Sequence, residues 1–410
     1  MAISFLKNRV ISELCLGKPV INSTVTSRTS IKEVLTLLKG SGYSISHVSV
    51  WSCVACDDDH HDFPHSCVAK ISMADVICYL CKKENLSNPL EALEAPVSTL
   101  LPQVNGIVSH LEPNSSLLEA IDCILEGSQN LVIPIREHPI SKSMREFLEK
   151  DSPPGALPLY DSKEYCWLTQ EDIARFLLNS IGVFSPLPTF TIESLNIIDR
   201  EVMSIHYDDP VSLALNSISC SITEQTCVAV VDDDKRLIGE ISPYTLASCD
   251  ETVAAAMMTL SAGDLMAYID CGGPPDGLVQ LVKTRLEEKG LDEMLKVVNE
   301  LSSSHASSSL SSFSSSSCSS DDESGSSSSR NSYSFNRSSS TRRSEAIMCF
   351  RWSSLVAVMV QALAHRVSYI WVVKDDQTLV GIVTFQEIFK VFRSLAGGRH
   401  KQEMENPFKQ

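Results

Sequence analysis

One short pattern recurs four times along the chain, and few folds accommodate such a recurrence. Its first copy is the run 69–75, Ala-Lys-Ile-Ser-Met-Ala-Asp. The others are Trp-Leu-Thr-Gln-Glu-Asp at 167–172, Gly-Glu-Ile-Ser-Pro-Tyr-Thr at 239–245 and Gly-Ile-Val-Thr-Phe-Gln-Glu at 381–387. Each reads as the end of a strand, a hydroxyl residue (Ser72, Thr169, Ser242, Thr384), two variable positions, then usually an acid, then an apolar helix. A hydroxyl there suits an N-cap, and an acid three residues later completes a capping box. The same geometry offers a hydroxyl and free helix-start N–H groups to a phosphate. Structure and ligand binding are both open on this pattern alone.

The segments around each copy repeat as well, and internal repeats outrank any single-segment reading. In the first unit, 20–25 reads as a strand, 30–39 as a capped amphipathic helix ending at Gly40, 45–51 and 67–71 as strands, and 73–81 as a helix. A short lead-in helix is expected over 11–19. The order β-α-β-β-α returns in the second unit: 106–113, helix 116–125, strands 130–135 and 165–168, helix 170–181. It returns in the third: 202–207, helix 211–218, strands 226–231 and 237–241, helix 243–247. The fourth runs 346–350, helix 354–364, strands 368–373 and 379–383, helix 385–395. Between the third and fourth units lie helical stretches, including an amphipathic run over 278–301 expected to pack on its own domain. Residues 302–340 are more than half serine and too poor in apolar side chains to bury a core, so they are expected to be disordered. The two units flanking this insertion should meet without it.

Bulk properties narrow the function. The 410 residues suffice for two or three domains, and 43% hydrophobic with 21% charged content is ordinary for a globular protein. A net charge of −17 leaves no basic surplus for nucleic acid. Fourteen scattered cysteines suit free thiols in a reducing compartment. The N-terminus lacks the h-region of a signal peptide, and no apolar run approaches the roughly 18 residues of a membrane span. A soluble, cytoplasmic protein without membrane or nucleic-acid partners is expected. No Gly-x-Ser-x-Gly, His-Glu-x-x-His, Walker or Gly-x-Gly-x-x-Gly motif is present, and no enzyme is expected.

The β-α-β-β-α unit ending in Gly-apolar-apolar-Ser/Thr-x-x-Asp resembles the cystathionine-β-synthase (CBS) domain. The residues that carry the likeness are Val228–Asp232, Ile133–Ile135 and Gly381–Thr384, and it covers most of the chain outside the serine tract and residues 255–300. The whole plan is similar to plant stand-alone four-repeat CBS-domain proteins. The resemblance implies an α+β fold: four β-α-β-β-α CBS repeats paired into two Bateman modules, with a disordered Ser-rich insertion. The expected divisions are repeat 1 at 12–83, repeat 2 at 100–183, repeat 3 at 196–250, a helical insertion at 251–301, a Ser-rich linker at 302–343 and repeat 4 at 344–397. It implies a regulatory or sensor protein binding an adenosine-type molecule (AMP, ADP, ATP or S-adenosylmethionine, none obligatory) in a cleft between paired repeats, and modulating a protein partner. A ligand-free scaffold, a γ-like subunit of an energy-sensing kinase and homodimerisation through the modules stay open.

In the family the motif hydroxyl contacts phosphate and the acid accepts from ribose hydroxyls, and a carboxylate can accept from both hydroxyls of a diol. Carried over, the ligand-binding residues are Ser72 with Asp75, Thr169 with Asp172, Ser242, and Thr384 with Glu387. The third copy departs, with Thr245 in the acid's place, and Glu387 is one methylene longer. The first two lack the usual glycine, having Ala69 and Cys166, and Trp167 stands ready either to crowd or to stack on an adenine. Binding is therefore expected in the first module, with the second more structural.

Two further clusters are weighed. Cys53, Cys56, His60, His61, His65 and Cys67 have metal-ligand chemistry, yet a second clean pair is lacking and a solvated loop is the better reading. Within the serine tract, Ser-Ser-Asp-Asp-Glu at 319–323 and Arg-Arg-Ser at 342–344 are kinase-substrate shapes in what reads as a passive linker.

Overall fold

A computed structural model of the chain describes residues 2–40, 47–53, 65–101, 107–137, 163–269, 274–308 and 345–397. Four three-stranded sheets contain all twelve strands found among them. They are β1–β3 (Thr24–Thr26, Val48–Cys53, His65–Ile71), β4–β6 (Val108–His110, Asn130–Glu137, Lys163–Thr169), β7–β9 (Ser204–His206, Val228–Val231, Leu237–Ile241) and β10–β12 (Met348–Phe350, Tyr369–Val373, Leu379–Thr384). In each sheet the first two strands are parallel and the last two antiparallel. A helix bridges the parallel pair, as such a crossover requires. The repeat order read from the sequence is therefore the repeat order of the fold.

Local chemistry sets the helix starts. Ser30, Ser116 and Ser354 cap the crossover helices, accepting from the N–H of Glu33, Glu119 and Ala357 at 3.1–3.3 Å. The third repeat has Pro210 at this place, which offers no capping side chain. Its first turn is 3-10 (Val211–Ala214), and the α-helix runs Leu215–Glu224, beyond the expected end at 218. The helix stops where Gln225 turns left-handed at φ 54°.

Three other expectations are corrected. A helix spans Ala2–Asn8 ahead of the predicted lead-in, which is itself only the 3-10 turn Ile11–Glu13. Leu6 and Ile11 anchor this lead-in in the core of repeats 2 and 4. The run 278–301 is two helices, Asp276–Glu288 and Asp292–Ser308, broken at Gly290, whose φ of +66° a glycine adopts without strain. Val282, Leu286, Met294 and Val298 are buried there, packing on repeats 1 and 3. Finally, helix Asp292–Ser308 carries the first seven residues of the serine tract, because extending an established helix is far cheaper than starting one. The rest of the tract, with both kinase-substrate shapes, lies outside the described residues.

Repeats pair in two ways. Sheets face sheets within a module: Trp51 and Cys67 of repeat 1 pack with Val132 and Trp167 of repeat 2. The segment entering repeat 1 hydrogen-bonds onto β6 of repeat 2, through Ile21 N–H to Tyr165 O at 2.9 Å. The second module repeats this: Asp199, entering repeat 3, exchanges two backbone bonds with Ile382 of β12 at 2.8 and 2.9 Å. A Cβ on Gly381 would sit 2.3 Å from the Asp199 carbonyl oxygen, so this approach needs glycine. Arg236 and Thr378 form a further bridge between repeats 3 and 4, which meet despite the insertion between them. Between modules, helices face helices. One core joins repeats 2 and 4, another repeats 1 and 3.

Candidate functional site

The four motif copies are built alike and end differently. In repeat 1, Ser72 caps helix Met73–Leu80, and Asp75 Oδ2 accepts from the Ser72 N–H and Oγ–H, both at 2.7 Å. Burial raises the Asp75 carboxyl above its ordinary range, against the pull of those bonds. In repeat 2, Thr169 caps helix Gln170–Asn179, and Asp172 Oδ2 accepts from the Thr169 N–H at 2.8 Å and its Oγ1–H at 2.6 Å. Here a cation joins: Lys18 Nζ stands 2.5 Å from the same oxygen. Among the described residues, Asp75 has no such partner.

The second module is arranged otherwise. Ser242 is buried; its Oγ accepts from the Tyr244 N–H at 3.2 Å and lies 3.2 Å from the Tyr369 hydroxyl oxygen. Thr245, in the acid's place, is buried too. Thr384 Oγ1 accepts from the Glu387 N–H at 3.3 Å, but the Glu387 carboxylate turns to Lys390 at 2.5 Å. That is the one motif acid of the three that forms no capping box, consistent with its extra methylene.

Placing the copies in register exposes a position of which the sequence reading weighed only Trp167. Two residues before the hydroxyl stand Lys70, Trp167, Glu240 and Ile382. In module 1, Lys70 Nζ lies 5.5 Å from the centroid of the Trp167 ring. Burial, then the charge of Lys18, lowers the Lys70 ammonium to a pKa of about 8, with Asp172 opposing. Beside them His47 meets Trp167 edge-on at 6.2 Å, and burial and Lys70 push its pKa down to about 3, so the ring is neutral. In module 2, Glu240 is only 6% exposed. Its Oε1 accepts from the Tyr369 hydroxyl at 2.7 Å, and its Oε2 from Trp371 Nε1–H at 2.7 Å and the Cys227 thiol at 3.4 Å.

So the structure brings Thr169, Asp172, Lys18, Lys70, His47 and Trp167 into one neighbourhood between repeats 1 and 2. It seats Ser242 under a tyrosine, and it leaves Asp75 bonded to its own cap. Lys18 was unreadable as a site residue because it lies in the entry segment, 154 positions from Asp172. Lys70 was equally hidden: a lysine alternating with Ala69 and Ile71 reads in sequence as the outward face of a half-buried strand, and only the facing sheet places it between the two. Of the Cys/His cluster, Cys67 is buried, its thiol set toward Ala69 O at 3.6 Å and its pKa pushed up to about 12 by burial. The side chains of the other five lie outside what is described.

Fold and cleft together define a four-repeat CBS protein, and comparison with known proteins agrees. The family model for the CBS domain matches residues 353–394. A CBS domain-containing protein of Arabidopsis thaliana, CBSX5, is 45% identical over 404 residues, 96% of this chain and 98% of its own. The chain belongs to the CBS domain-containing proteins. A more distant Arabidopsis thaliana relative, "SNF1-related protein kinase regulatory subunit gamma-like PV42b", is 20% identical, covering 80% of this chain and 76% of its own. Among solved structures, protein MJ1225 of Methanocaldococcus jannaschii, "a putative archaeal homolog of g-AMPK", matches with a TM-score of 0.51 at 14% identity, covering 93% of this chain and 99% of that one. That likeness is one of fold. No described helix is long and apolar enough to cross a membrane.

Proposed function

We propose that the protein is a non-catalytic regulator whose first module binds an adenosine-type nucleotide and passes its occupancy to a protein partner. The observation that carries the reading is the convergence of Thr169, Asp172 and Lys18 at one helix start. A hydroxyl, a diol acceptor and a cation are the three groups a nucleoside phosphate needs. In this reading Lys18 moves from Asp172 to the phosphate and releases the carboxylate for the ribose hydroxyls. Asp172 stands on helix Gln170–Asn179, which packs against helices Leu355–His365 and Phe385–Gly397 of repeat 4. Occupancy thus reaches the second module by direct packing. It shifts a partner only as far as the ligand prefers one arrangement over the other.

Calorimetry on the purified chain with AMP, ADP, ATP and S-adenosylmethionine tests this. Binding of at least one is expected, with Asp172→Ala weakening it tenfold or more and Asp75→Ala reporting whether the first motif shares the load. No heat and no thermal shift with any of the four sinks the reading and leaves a scaffold. A narrower version, a regulatory subunit of a protein kinase, is supported by the name of the 20%-identical relative. Co-purification with a plant SNF1-related kinase catalytic subunit is its test, and failure to co-elute removes it.

A further inference from the structure

The two modules treat the space between their sheets in opposite ways. In module 2 a carboxylate, Glu240, collects the donors of Tyr369, Trp371 and Cys227. In module 1 the same register position carries Lys70, a cation with no carboxylate in ion-pair range among the described residues. The facing strand changes with it. Tyr369 pairs with Thr384 as Asn130 pairs with Thr169, and Trp371 pairs with Ile382 as Val132 pairs with Trp167. The large rings are thus redistributed: Trp371 opposite Ile382 in module 2 becomes Val132 opposite Trp167 in module 1, and Tyr369 becomes Asn130. The indole N–H groups of Trp51 and Trp167, whose side chains are 7% and 9% exposed, are buried here with no acceptor among the described residues. Buried donors without acceptors are costly, and so is a partly buried ammonium without an anion.

We infer that Lys70, with the indole N–H groups of Trp51 and Trp167, forms an anion-binding subsite between the sheets of the first module that takes a phosphoryl group. Glu240 is the built-in counterpart in the second module, so each chain takes one anion and not two. The subsite deepens the nucleotide reading, resting on it only for the adenosine part of the ligand: it selects AMP, ADP or ATP over adenosine and over the cationic S-adenosylmethionine. Charge-assisted donation to phosphate supplies the preference. His47, neutral beside it, adds no charge of its own, while Lys18 reinforces the field and Asp172 tempers it.

The experiment is a titration of the full chain with pyrophosphate, AMP and adenosine, read by calorimetry and by tryptophan fluorescence. The wild type, Lys70→Met and Lys70→Arg are compared, with circular dichroism checking the fold. Pyrophosphate and AMP are expected to bind once per chain, AMP at least tenfold tighter than adenosine. Lys70→Met should remove most of that preference and the fluorescence response, and Lys70→Arg should restore part of it. The subsite is refuted by pyrophosphate failing to bind, by two anions per chain, or by affinities that ignore Lys70→Met. If pyrophosphate binds and no adenine compound binds more tightly, the subsite stands and the nucleotide reading falls. If adenosine binds as well as AMP, the reverse holds.

Discussion

Glu240 and Lys70 occupy one register position in two repeats, and each makes its own demand on stability. The Glu240 carboxylate is satisfied by an O–H, an indole N–H and a thiol. Removing it strands buried neutral donors, so Glu240→Ala should cost about 1–3 kcal/mol for each donor left without an acceptor, read in urea unfolding. Tyr369→Phe, which takes away one donor to Glu240, should cost about 1–2 kcal/mol. Equal stability in both variants would mean that the cluster contributes nothing. Lys70 works in the other direction. Its folded pKa, about 8, lies below the ordinary 10.5, so between these values the unfolded chain holds a proton that the folded chain has lost. The penalty is full below pH 8 and is relieved as pH rises toward 10.5. Lys70→Met should therefore raise Tm at pH 7, and its advantage over the parent should shrink by pH 9.5. An advantage that does not change with pH would show that packing on Trp167, rather than charge, is responsible. A stabilised variant that loses anion affinity would be the usual exchange of stability for function.

At the scale of elements, the fold was legible wherever a local rule decides alone. Hydroxyl caps, helix periodicity and strand alternation placed the β-α-β-β-α order of all four repeats, because capping and amphipathicity act over a few residues. What escaped depended on contacts far along the chain. Helix Ala2–Asn8 exists because Leu6 finds a core formed by repeats 2 and 4. Apolar periodicity continues through the 278–301 run, so the break at Gly290 was hidden; a single glycine is tolerated within a helix and decides nothing by itself. The entry segment at Asp199 is extended because it pairs with Ile382, a partner 183 positions away, and Gly381 is what admits it. Gly381→Ala should push that segment off β12 and cost about 1–3 kcal/mol. Unchanged stability and unchanged amide-exchange protection at Ile382 would contradict the close approach.

At the scale of the whole molecule, the two large cores among the described residues are shared between the modules, and only the small cluster of Trp51, Cys67, Val132 and Trp167 lies within one. Each large cluster draws on both, through repeats 2 and 4 or repeats 1 and 3, and the Asp122–Arg393 ion pair crosses the same boundary. The chain should therefore unfold in one cooperative transition, with calorimetric and van't Hoff enthalpies equal. Two separated transitions would mean that the modules are independent. The same arrangement limits what reading the chain in one dimension reveals. The sequence by itself determined the repeats and the four motif positions, since those follow from periodicities and caps a few residues long, while the pairing of the repeats was implied only by the family resemblance. Only the tertiary structure decided which motif meets a cation. Lys18 reaches Asp172 through the packing of an entry segment on a foreign sheet, and Lys70 and Glu240 acquire opposite roles from the strands that face them. Charge and room between two sheets are properties of the pair, and no single strand carries them.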